Sequence, residues 1–154
     1  MEQNSLNMVK YYNYQEQFKR LKRAIDNEFY LEAIFIEYAI TEDRVEAILY
    51  YEHNEINSEK HVPIESKLKK IKAIAAEKKS LAKKYFSDDL IETITVWKNK
   101  RNGMIHALMK KQLTTEELKD IALEGKLIAR RVCDRANSYK RAVERKNANQ
   151  LCKI

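Results

Sequence analysis

One proline and two glycines are the only strong helix breakers in 154 residues. Strands joined by tight turns need many more such residues, so this chain can only fold into long helices that meet at few corners. The expected class is all-α: an up-and-down helical bundle of four to five helices. A chain of this length buries a real core, about two-thirds of its unfolded surface, and one domain over residues 1–154 is the expected organisation.

The helices can be placed from three- and four-residue apolar steps. A first runs from about Leu6 to Asp26, carrying Tyr11, Tyr14, Phe18, Leu21 and Ile25, and a second from about Glu28 to His53. After the turn-rich stretch NEINSEKHVP, Pro63 suits the first turn of a third, Lys-rich helix reaching about Phe86. Ser87 offers an N-cap, with Asp88 and Asp89 at the positive end of the dipole of a fourth helix ending near Lys110. Thr114 and Glu117 have capping-box spacing and open a long fifth helix through Tyr139 and Val143.

Charge divides the chain. Residues 1–62 hold 7 Lys and Arg against 12 Asp and Glu, whereas 63–154 hold 23 against 11, within a net charge of +7. A half so basic suits a polyanion such as nucleic acid, or an acidic partner. The two cysteines, Cys133 and Cys152, are too few for a disulfide framework, and no cationic-then-apolar leader opens the chain. The expected location is cytoplasmic. Charged residues break every hydrophobic run well short of the 18 or so apolar residues that a membrane span needs, so no membrane partner is expected.

In the fourth helix, Leu90, Ile94, Trp97, Arg101, Met104 and Leu108 form one stripe at alternating steps of four and three. Arg101 therefore interrupts an apolar face. Its guanidinium stays charged and is costly to bury alone, which calls for a carboxylate, a phosphate or a wet cleft opposite it. Asn102 and His106 lie one turn apart on an adjoining flank, and Gly103 leaves room for close approach.

The stretch RNGMIH, residues 101–106, resembles the Arg-x(4 to 6)-His motif of the HEPN superfamily, small helical bundles that include RNA-cleaving toxins and abortive-infection proteins. Asn102 fits the common form in which a polar residue follows the Arg. The motif itself is six residues long; the likeness in architecture extends over most of the chain. The resemblance implies a HEPN-like bundle acting as a metal-independent, cofactor-free endoribonuclease. It further implies a homodimer with the motif helices of two protomers facing across a composite cleft. His106 would transfer protons, Arg101 would stabilise charge on the phosphate and Asn102 would position it, leaving a 2′,3′-cyclic phosphate and a 5′-OH. Such a protein would be the toxin of a toxin–antitoxin or phage-defence system, with an antitoxin such as a nucleotidyltransferase as partner. Lys98 and Lys100 are candidates to guide the RNA backbone.

A second charge interrupts a second stripe. Leu31, Phe35, Tyr38, Glu42, Val45 and Leu49 repeat the same spacing in the second helix, with Glu42 in the slot that Arg101 fills. Glu42 either pairs with Arg101 or orients it as a carboxylate behind the site. His53 and His61 with Glu52 and Glu59 flank the turn-rich stretch and lack the one-turn ligand spacing of a helical metal site, so no metal is expected. A competing reading keeps the fold without chemistry: a catalytically silent dimeric scaffold or a nucleotide- or RNA-binding module.

Overall fold

A computed structural model describes residues 2–53, 62–77 and 80–151, and side chains within 8–51, 62–77 and 80–149. The described residues form six helices and no strand: α1 (Glu2–Asp26), α2 (Tyr30–His53), α3 (Ile64–Ala76), the single turn α4 (Ala82–Tyr85), α5 (Asp88–Ala107) and α6 (Thr115–Leu151). The all-α helical bundle stands. The count is one above the expected range because the third helix does not run through to Phe86. Glu77 turns to an extended backbone (φ −66°, ψ 138°), and after this break the Ala82 backbone N–H bonds to the Ser80 hydroxyl at 3.1 Å to start α4.

The other boundaries follow capping chemistry. Pro63 stands just before α3, where its missing N–H costs nothing. The Ser87 hydroxyl accepts from the Leu90 backbone N–H, with Asp88 and Asp89 in the first turn of α5. At the start of α6 the capping box closes both ways. The Thr114 N–H donates to Glu117 Oε2 at 2.8 Å, and the Glu117 N–H donates to Thr114 Oγ1 at 3.2 Å.

The helices do not simply alternate up and down. The Tyr85 and Phe86 rings pack edge-on to Tyr139, and Lys140 lies over the Tyr51 ring, so the start of α5 and the end of α2 share one end of the bundle. Late in α5, Arg101 lies against Phe35 and Tyr38 in the first half of α2. These two helices are therefore antiparallel. Glu65 in the first turn of α3 pairs with Lys98, whereas Ala75 and Ala76 share a hollow with Ser87 and Asp88. Helix α3 thus opposes α5 and runs the same way as α2, which is why the simple up-and-down order fails.

The core lies between α2, α5 and α6, with Trp97, Tyr139, Phe86, Ile34, Ile48, Ile71 and Ile94 fully buried. In α2 the buried stripe is Tyr30, Ala33, Ile34, Glu37, Ile40, Thr41, Val45, Ile48 and Leu49; Leu31 and Phe35 are 43 % and 67 % exposed. The stripe is rotated by about one residue, 100°, from the expected one. The segment LEAIFIEYAI is apolar around most of its circumference, so periodicity alone does not select a face.

Candidate active site

Arg101 sits half-buried in the groove between α5 and α2. Its guanidinium carbon is 4.2 Å from the centroid of the Tyr38 ring and 5.7 Å from that of Phe35, and its Nη1 donates to Asn102 Oδ1 at 3.0 Å. Its Nε is buried without a hydrogen-bond partner. Among the described residues no carboxylate pairs with it. Two aromatic faces and a neutral amide hold this cation without cancelling its charge.

His106 is exposed in the last turn of α5, and Asn102 is half-buried one turn earlier. Five residues of helix separate Arg101 from His106 by about 140° of rotation and roughly 7.5 Å of rise. Helix α5 therefore presents the cation towards α2 and the imidazole around its flank.

Of the two roles expected of Glu42, the direct pair with Arg101 does not form. Instead Lys67 of α3, only 6 % exposed, bonds to Glu42 at 3.4 Å and to Glu46 at 2.5 Å. Burial works against the Lys67 ammonium, but Glu46 and Glu42 outweigh it and hold its pKa above the usual lysine value. Tyr38 feels both charges, Glu42 and Arg101. Burial raises the Tyr38 phenol pKa and Glu42 adds to the rise, while Arg101 and Lys67 oppose it.

The two lysines expected to guide RNA are engaged elsewhere. Lys98 is 7 % exposed and pairs with Glu65 at 3.5 Å; Lys100 is half-exposed and pairs with Glu124 of α6 at 2.7 Å. Neither partner could be found by local spacing, since Glu65 is 33 residues and Glu124 24 residues away in sequence. No group of three His, Cys, Asp or Glu that could hold a metal occurs among the described residues. His61 and Glu59 and the side chains of Glu52 and His53 lie outside them, as does Cys152.

A buried carboxyl that sequence reading missed stands one turn from the site. Glu37 is wholly buried, both its oxygens lack partners, and the Thr41 hydroxyl one turn further is in the same condition. Burial raises the Glu37 pKa to about 9, against the opposing charge of Lys126. It is therefore a neutral acid at pH 7. Gly125 of α6 is what admits it: a Cβ there would lie 2.2 Å from Glu37 Oε2 and 2.5 Å from the Trp97 ring. Trp97, four residues before Arg101, is fixed in turn by its indole N–H donating to the Ile121 carbonyl at 2.9 Å. A glycine in mid-helix facing a Trp and an acid was the available signal.

No helix among the described residues is long and apolar enough to cross a membrane. No protein-family model matches the chain, and neither a curated protein nor a solved structure matches it significantly.

Proposed function

We propose that the chain is a metal-independent endoribonuclease of the HEPN type, acting as a homodimer and serving as the toxin of a toxin–antitoxin or phage-defence pair. The observation that carries this reading is the state of Arg101. It is a half-buried cation clamped by Tyr38, Phe35 and Asn102, with no carboxylate among the described residues to neutralise it, on the helix that also exposes His106. Such a cation is fit to receive a phosphate oxygen.

In the proposed reaction the RNA 2′-oxygen attacks the adjacent phosphorus as its proton passes to an imidazole. The bond from phosphorus to the 5′-oxygen breaks, and that oxygen takes up a proton. The products are a 2′,3′-cyclic phosphate and a 5′-OH, with no water consumed. Arg101 stabilises charge on the non-bridging oxygens, Asn102 holds the guanidinium in place, and His106 moves the protons. Because Arg101 and His106 diverge around one helix, a second protomer that brings its own α5 alongside would supply the complementary group. Light scattering of the proposed homodimer should report twice the 18.3 kDa chain mass.

The direct test incubates purified protein with cellular RNA in EDTA beside a His106→Ala variant. Cleavage by the first and none by the second supports the enzyme. An inert wild-type dimer would favour the silent scaffold, a reading that the internal pairing of Lys98 and Lys100 supports.

A further inference from the structure

The cations closest to the site helices are committed to carboxylates: Lys67 to Glu42 and Glu46, Lys98 to Glu65, Lys100 to Glu124. Lys69 and Lys72 on α3 and Lys83 on α4 are not. All three are exposed, and among the described residues none is in an ion pair. They stand on a firm base, because the opposite face of α3 buries Leu68, Ile71 and Ile74 and α4 buries Ala82. Lys72 and Lys83 line one hollow of about 500 Å³ at the corner of α3, α4 and α5. Asp88 also borders that hollow, and the exposed Glu77 ends α3, so the face is net cationic without being free of acid.

We infer that this lysine face of α3 and α4 binds the phosphate backbone of single-stranded RNA, an inference that rests on the ribonuclease reading and names where its substrate is held. Exposed cations in no ion pair among the described residues match a chain of phosphates. A protein partner fits less well. Protein interfaces draw most of their energy from large apolar or aromatic anchors, and no exposed large hydrophobic residue belongs to α3 or α4. The location also fits. Helix α3 touches both walls of the Arg101 groove, through Lys67 to Glu42 on α2 and through Glu65 to Lys98 on α5, three residues before Arg101. A strand laid along α3 therefore runs beside the site.

The test uses the full chain and a short fluorescent single-stranded RNA with every 2′-OH methylated, so that binding is read without cleavage. Affinity is measured between roughly 50 and 200 mM salt. A Lys69→Glu, Lys72→Glu, Lys83→Glu variant should bind at least about tenfold more weakly, and its salt slope should fall by about 2, three charges at about 0.7 each. Lys72→Gln alone should lower the slope by about 0.7. A control reversing Lys19, Arg20 and Lys22 on α1 should leave affinity within about threefold. Equal losses in both triple variants, unchanged binding in the α3–α4 variant, or no binding by the wild type would overturn the assignment. Binding through this face with no cleavage of unmodified RNA would keep the surface and retire the ribonuclease reading; cleavage without dependence on these lysines would do the reverse.

Discussion

The Arg101 guanidinium carbon lies 4.2 Å from the centre of the Tyr38 ring, and this stacking holds the cation in place of an ion pair. A desolvated cation–π contact contributes up to about 2 kcal/mol, equivalent to roughly 30-fold in rate if it is lost in the transition state. Tyr38→Phe keeps the ring face and should leave RNA cleavage within about threefold of wild type. Tyr38→Ala should lower it about 10- to 30-fold with the helical circular dichroism intact. Equal losses in both variants would assign the effect to the phenol hydroxyl and refute the stacking role.

Glu42 is bonded to Lys67 and not to Arg101, so its removal takes no carboxylate from the Arg101 guanidinium. Glu42→Ala leaves Lys67 with Glu46 at 2.5 Å and should cost only about 1 kcal/mol or less. Lys67→Ala, which takes a nearly buried ammonium from two carboxylates, should cost more than Glu42→Ala. Urea denaturation of the two variants decides the order.

Glu37 makes stability depend on pH in an unusual direction. Its folded pKa of about 9 stands above its ordinary 4.5, so folding favours the protonated form. The contribution is fully present below pH 4.5 and is lost progressively as pH rises towards 9. By pH 7 the loss is roughly 3 kcal/mol, taking 1.36 kcal/mol per unit. Glu37→Gln cannot ionise and should flatten this part of the profile, gaining stability relative to wild type as pH increases. Thermal melts across pH 5 to 9 that remain parallel for the two proteins would contradict a buried neutral Glu37.

The two glycines, both helical, should respond oppositely to alanine. A Cβ on Gly103 would meet nothing within 4 Å, whereas one on Gly125 would strike Glu37 and Trp97. Gly103→Ala should therefore stabilise by up to about 1 kcal/mol through helix propensity. Gly125→Ala should destabilise despite the same propensity gain, since overpacking costs about 1–3 kcal/mol. Paired melting curves check the signs.

Where local chemistry decides the structure, the sequence was readable. Ser87 caps α5, and Thr114 and Glu117 cap α6, because those bonds span only three residues. The stripe from Leu90 through Ile94, Trp97 and Met104 is buried as its spacing implies, with Arg101 half-buried within it; only Leu108 at its end is exposed. What depended on distant packing was not readable. Helix α2 is apolar on several faces, and the room for the inward Glu37 comes from Gly125 on another helix, where a Cβ would collide with it. The same limit hid the partners of Lys98 and Lys100, which come from other helices.

The measurement closest to the central claim uses a DNA strand containing a single ribonucleotide, incubated with the protein in EDTA, with both new ends then identified. Cleavage should occur only 3′ of that ribose, leaving a 2′,3′-cyclic phosphate and a 5′-OH, and it should vanish in His106→Ala and Arg101→Ala. No cleavage, cleavage that EDTA abolishes, or full activity in His106→Ala would contradict it.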